Sequence, residues 1–398
     1  MNDALAPNGL NPEPRTLNPF PALNPEPRTL TPFVCLLLAL LAAGCRRAGP
    51  QFRLNMEGRP PESVSQQQAK AITEALTGLF GTPDEPKVST GVDLDLELLR
   101  RASGPIAGAP GGQERGLFRR QCVTCHGVSG DGAGPTAAEL DPYPRDFRNG
   151  VFKYTSTRGG VKPIMMDLRR TLYRGVAGTA MPSFAQLPEE EIDALLEYVK
   201  YFGVRGQTEL YLFQMVVDDD GALPLDQSQV MEEGVLPAAQ SWFEPERRRA
   251  ELVAKPPPRP PTDTPERLAT SIAKGRELYL STNSQCTKCH GPEGNGQGEQ
   301  SELYDDWNKR KKGETPERTA ELARFFTLPI ERLRPRNLHE GVFRGGGTPI
   351  DLYRRVCVGI KGTPMPAAGS APGVPGVLSD EEVWQVVEYV RSLGGSRQ

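Results

Sequence analysis

Cys122-Val123-Thr124-Cys125-His126-Gly127 recurs in the second half of the chain as Cys286-Thr287-Lys288-Cys289-His290-Gly291. Neither string stands alone. Pro144-Arg145-Asp146-Phe147 and Gly150-Val151-Phe152 follow the first; Pro335-Arg336-Asn337-Leu338 and Gly341-Val342-Phe343 follow the second. Asp167-Leu168 and then Gly175-Val176-Ala177-Gly178-Thr179-Ala180-Met181-Pro182 come next. Their counterparts are Asp351-Leu352 and Gly359-Ile360-Lys361-Gly362-Thr363-Pro364-Met365-Pro366. The Asp lies eight residues before the first Gly in both. A shared order of landmarks marks a duplicated unit. The second copy carries an insertion of roughly 27 residues after its Cys-His string. The insertion includes Tyr304-Asp305-Asp306-Trp307 and the charged run from Asn308 to Lys312. It reads as a solvated face, with partner binding the less favoured alternative.

Cys-x-x-Cys-His has a geometric meaning. A three-residue step on one helical turn brings two thiols to the same side. They can then meet the two vinyl groups on one edge of a porphyrin, with the adjacent histidine under the iron. The string is a haem c attachment signature. Cys122, Cys125, Cys286 and Cys289 are therefore the expected thioether positions, and His126 and His290 the expected proximal ligands. Zinc is the rival for such pairs, but zinc histidines normally sit further from their cysteines. A redox disulfide is another rival, and it leaves the downstream landmarks unexplained.

The chain has only three histidines, so bis-histidine ligation of two irons is excluded. His339 is the spare one, and Arg148 stands in its place in the first copy. It reads as a surface or haem-edge residue. Met181 and Met365 share one context, a glycine-bearing loop before and a proline after. They are the expected sixth ligands, and Met/His is the combination that raises cytochrome c potentials. Arg145 and Arg336 could pair with haem propionates, since the guanidinium fork matches a carboxylate; the alternative is a surface arginine in a turn. Cys357 reads as a small buried hydrophobe.

Composition agrees with small helical units. Of 398 residues only 37% are hydrophobic, which is low for one large core. Glycine (42) and proline (39) are abundant, which suits many turns. A net charge of -3 leaves no basic footprint for nucleic acid.

The N-terminus reads as an export segment. Leu10 to Leu17 recurs as Leu23 to Leu30, a proline-rich repeat that cannot pack a core. The apolar run Phe33 to Ala43 is too short for a membrane span, which needs about 20 residues, and fits a signal-peptide core. Leu41-Ala42-Ala43-Gly44-Cys45 resembles a bacterial lipoprotein cleavage site, which implies lipid attachment at Cys45 and an extracytoplasmic protein. The alternative is a plain signal peptide with Cys45 incidental.

The expected layout follows. Residues 1–44 are the signal segment with its repeat. Residues 45–113 are a tether and a short docking helix with apolar positions at Ala69, Ile72, Leu76, Leu79 and Phe80, closed by Gly81 and Pro83. Residues 114–203 are the first unit, 204–265 a helical and Pro-rich linker containing Pro256 to Pro261, and 266–398 the second unit. The closing helices run from about Glu189 to Phe202 and from about Asp380 to Leu393. Ser379 with Glu382 forms a capping box, and Gly394 ends the second helix.

On these residues both units resemble the monohaem cytochrome c fold. The resemblance implies a mostly α protein with two tandem cytochrome c-like domains. Each would have a first helix ending at the haem string (Gly116 to Arg120, Gly275 to Leu280) and a closing helix crossing it. The whole looks similar to two-haem cytochromes attached to bacterial respiratory complexes. That implies two covalent haems c, single-electron transfer, and redox partners in an oxidase or quinol-oxidising complex. The rival is a two-haem peroxidase-like enzyme, which needs an iron with a displaceable ligand and a distal acid/base group. A haem-bearing sensor or scaffold would need an output domain, and none is visible.

Overall fold

A computed structural model describes residues 49–104, 116–306 and 315–394. The repeat, the apolar run and Cys45 lie outside these residues. The principal helices are α1 (Gln66–Phe80), α2 (Leu96–Ala102), α3 (Leu117–Gln121), α4 (Val123–His126), α5 (Met165–Arg174) and α6 (Glu189–Phe213). They continue as α7 (Leu236–Arg247), α8 (Pro265–Leu280), α9 (Cys286–His290), α10 (Pro316–Ala323), α11 (Pro349–Val358) and α12 (Asp380–Leu393). No sheet forms among the described residues, so the mostly α expectation holds.

The second unit shows the expected crossing of its first and closing helices in full. α8 begins at Thr264, whose side chain accepts from Arg267 N, and Pro265 occupies the first helical position. α12 begins with the expected Ser379–Glu382 capping box. The two helices cross at Gly275. A Cβ there would lie 1.9 Å from Gln385 O and 2.9 Å from Tyr389 Cβ. Only hydrogen fits, and the backbones approach accordingly. Tyr279, Tyr353, Val383, Trp384, Val386, Val387 and Tyr389 fill the core around this crossing. Gly394 does end α12, but with φ -76° rather than a left-handed cap.

The first unit departs from the expected plan in two places. Its helix before the haem string is only α3, five residues long among the described residues. Its closing helix does not stop at Phe202. α6 runs on to Phe213, because Val204, Thr208, Leu212 and Phe213 keep burying one face. The expected linker thus starts as continued helix. The preceding segment also packs more than a tether would. Phe52 lies edge-on to Phe202 at 6.1 Å, and Arg205 sits 4.4 Å over its ring. α1 carries a Ser65–Gln68 capping box and buries Ile72, Leu76 and Phe80 into the same core.

The Pro-rich stretch is pinned at both ends. Ala254 N donates to Ser156 O at 2.8 Å, and Arg158 N to Leu252 O at 2.9 Å. Arg259 forms a bidentate pair with Glu388 at 2.6 and 2.8 Å, and Trp384 Nε1 donates to Pro257 O at 3.2 Å.

The two units meet through charge and backbone. Arg355 on α11 donates to Lys153 O at 3.1 Å and to Thr155 O. Lys361 donates to Thr157 Oγ1 at 2.7 Å and to Val161 O. Arg174 on α5 pairs with the buried Asp351 at 2.8 Å. Arg158 reaches Cys357 Sγ at 3.4 Å, and Cys357 is 1% exposed, as a small buried hydrophobe would be.

Two predictions follow from packing and burial. Gly275→Ala should lower unfolding stability by about 1–3 kcal/mol through overpacking. Gly78→Ala, on α1 with open space around it, should raise it by about 0.4–1 kcal/mol; urea denaturation of both variants checks the contrast. Burial pushes Lys361 down from 10.5 to about 8, with Arg355 and Lys162 adding repulsion and Asp167 opposing it. The unfolded chain then binds more protons between pH 8 and 10.5, so this residue makes stability rise with pH across that window. Denaturation at pH 8, 9 and 10 should show a shallower rise in Lys361→Met.

Candidate haem sites

The Cys-His strings form α4 and α9, each a single turn. The five described cysteines are free. Among the described residues no three His, Cys, Asp or Glu side chains are grouped to hold a metal ion.

Each histidine is fixed by one backbone carbonyl. His126 Nδ1 lies 3.1 Å from Arg145 O, and His290 Nδ1 lies 3.2 Å from Arg336 O. A carbonyl only accepts, so Nδ1 carries the proton and Nε2 keeps its lone pair. His126 is 8% exposed and stacks on Phe147 at 4.5 Å and 19°. Burial pulls its pKa from 6.5 down to about 4, the Arg145 carbonyl opposing the shift. His290 is partly buried and is shifted the same way for the same reason. Both imidazoles are thus neutral near pH 7, the form a metal requires. Burial pushes the Cys122 thiol up to about 12, with Cys125 adding to it. Cys286 is raised by burial as well.

A returning loop wraps each string. Gly132 N donates to His126 O at 3.0 Å, Gly134 N to Cys125 O at 3.0 Å, and Thr136 N to Thr124 O at 3.1 Å. In the second copy Gly296 N donates to His290 O at 2.9 Å, Gly298 N to Cys289 O at 3.1 Å, and Gln300 N to Lys288 O at 2.8 Å. Gly132 and Gly296 have φ +73° and +80°, and a Cβ on either would lie 2.5 Å from the carbonyl of Pro144 or Pro335. Glycine at 127, 130, 132 and 134 repeats at 291, 294, 296 and 298. That register was readable in the sequence and had been passed over.

The methionine loops are also duplicates. Val176 N donates to Met181 O at 3.0 Å, and Ile360 N to Met365 O at 3.1 Å. Thr179 Oγ1 donates to Val176 O and accepts from Met181 N, at 2.8 and 3.2 Å. Thr363 does the same with Ile360 O and Met365 N, at 2.8 and 3.2 Å. Both methionines are half-buried, and Met181 packs on the first core. The threonines are site-shaping residues that only their place in the motif had hinted at.

The arginines sit differently from each other. Arg145 faces Asp306 at 3.2 Å and Asp305 at 3.4 Å, both from the insertion of the second unit. Arg336 pairs with Glu340 at 2.7 Å. What both supply to the sites is the main-chain carbonyl under the histidine. His339 is exposed, its Nε2 2.6 Å from Glu293 O, away from any shared role. Its counterpart Arg148 is buried against Asp146 in a bidentate pair.

These residues fit haem c. Two thiols and a neutral Nε2 share one turn in each copy. The Nε atoms of Arg336, Arg344, Arg354 and Arg355 are buried with no hydrogen-bond partner, although Arg336 and Arg355 use their Nη atoms elsewhere.

No curated protein matches the chain. One solved structure, a chain of a reducing HAO-like protein complex of Kuenenia stuttgartiensis, shares 26% identity. It covers 69% of this chain and 93% of its own, with a TM-score of 0.45. The Cytochrome c family model matches residues 115–202. That segment is a cytochrome c domain, and such a domain carries covalently bound haem c.

Proposed function

We propose that the chain is a two-haem electron carrier, each iron held between a histidine and a methionine. The duplicated hydrogen bonding carries this reading. The second unit repeats the histidine clamp, the wrapping glycines and the threonine-held methionine loop of the first, each distance within a few tenths of an ångström. The ligands proposed are His126 with Met181 and His290 with Met365. Cys122, Cys125, Cys286 and Cys289 would form the thioethers.

When bound, haem c supplies a reversible one-electron change at iron. The chain does the rest. The carbonyls of Arg145 and Arg336 keep each Nε2 unprotonated and hold each imidazole in orientation. The Thr179 and Thr363 hydroxyls brace the loops that present sulfur. Thioether ligation favours the reduced state and raises the potential. Were each iron held by both its histidine and its methionine, no position would be left for a substrate, which disfavours the peroxidase-like alternative.

The export reading completes the proposal. The chain would be lipidated at Cys45, held on the extracytoplasmic side of a membrane, and paired with redox proteins of an oxidase or quinol-oxidising complex. Among the described residues no helix is long and apolar enough to cross a membrane.

Two experiments test this. Haem assay of the purified chain should give two haems c per polypeptide, and redox titration two low-spin centres. Met181→Ala and Met365→Ala should each convert one centre to high spin and lower its potential. A high-spin haem in the unaltered protein, or spectra unmoved by both variants, overturns the carrier reading. Cys45→Ala should move the chain from the membrane fraction to the soluble one; retention in the membrane would refute lipid anchoring.

A further inference from the structure

The insertion after the second Cys-His string has a place at the boundary of the two units. Asp306 N donates to Gly362 O at 3.0 Å, inside the Met365 loop. Its carboxylate lies over Gly362, where a Cβ would be 2.8 Å from Oδ1. The same carboxylate accepts from Arg145 Nη1 at 3.2 Å. Asp305, 7% exposed, accepts from Arg145 Nη2 at 3.4 Å and from Lys153 Nζ at 2.8 Å. Arg145 in turn holds His126 through its carbonyl. One pair of acidic residues therefore touches the loop that presents sulfur in the second site and the residue that clamps the histidine in the first.

We propose that Asp305 and Asp306 are positioning residues that set the haem potentials and link the two sites electrostatically. This rests on the two-haem reading above. The physical basis is charge in a poorly solvated place. A nearby carboxylate stabilises ferric over ferrous iron, and a nearby guanidinium does the reverse. Low local dielectric enlarges both effects compared with water. Side-chain exposure of 13% for Arg145 and 9% for Asp305 keeps solvent screening small. The pair also resolves the role of the insertion, which neither unit's core requires.

Spectroelectrochemical titration of the holoprotein tests it. Asp305→Asn/Asp306→Asn removes two negative charges and leaves Arg145 unopposed. The oxidised-to-reduced ratio of at least one haem at fixed potential should fall about tenfold, a rise of about 59 mV for a one-electron couple. Arg145→Gln should shift the same haem in the opposite direction. A purely structural contact would not give opposite signs. Glu74→Gln, which removes one carboxylate charge on exposed α1, is the control for each single Asp→Asn change. If Asp306→Asn fails to fold, Asp305→Asn alone should still raise the potential, since Asp305 leaves the Met365 loop untouched. Two low-spin haems whose potentials move no more than in the control overturn this inference and leave the carrier reading standing. A chain with one haem, or with no methionine ligation, overturns the carrier reading instead.

Discussion

A backbone carbonyl cannot donate, so the contact of His126 Nδ1 with Arg145 O leaves one tautomer. Nε2 is then the nitrogen left with a free lone pair, on the same helical turn as the two cysteines. Everything else in each unit supports that contact. The Pro-Arg segment must be brought back under the histidine across 18 residues in one copy and 45 in the other, as His126 to Pro144 and His290 to Pro335. The wrapping glycines do this by letting main chain pass where a side chain would collide. Gly130 O and Gly294 O then accept from Phe147 N and Leu338 N at 2.8 and 2.7 Å, fixing the returning strand of chain beyond the arginine. The insertion changes how far the chain travels and leaves the contact it returns to unchanged.

The two copies differ where solvent and neighbours differ. His126 stacks on Phe147 and is walled in by the large first core, to which Phe52 and α1 contribute. In the second copy Leu338 replaces Phe147, and His290 stays partly exposed. The position after these residues shows the same divergence. Arg148 is driven inside and needs Asp146 as a bidentate partner, because an unpaired buried guanidinium is costly. His339 at the matching place lies at the surface and needs only a carbonyl.

Much of this was legible in the sequence, and the limits have physical reasons. The closing helices, the capping box at Ser379 and the docking helix could be read because apolar period and caps are local signals. The cysteine and histidine strings could be read as one-turn helices because three-residue spacing on a turn is a local signal. The continuation of α6 to Phe213 was missed because Gly203 and Gly206 look like stops. They are in fact close-packing sites, where a Cβ would strike Trp242 Cζ2 at 2.3 Å and Arg148 O at 2.3 Å. The role of Arg145 and Arg336 was also hidden. The side chains suggested carboxylate partners, while each backbone carbonyl accepts from a histidine, and a carbonyl is an atom every residue has and no composition can flag.

The boundary between the units decides whether they can move independently. A flexible linker would let two haem domains act as independent carriers. Here Arg355, Lys361 and Arg174 reach across to carbonyls, hydroxyls and a buried carboxylate, and Pro256 to Pro261 is tied down by Glu388 and Trp384. Arg355 and Asp351 are buried and Lys361 is half-buried, so separating the units would have to rehydrate these groups and orphan their partners. The elements that meet at this boundary are those carrying the site landmarks. Val342 packs 3.1 Å from where a Cβ on Gly178 in the Met181 loop would stand. Asp306 bonds the Met365 loop from the other side. The groups that shape one candidate site are therefore held in fixed contact with those that shape the other, which independently tumbling domains could not achieve.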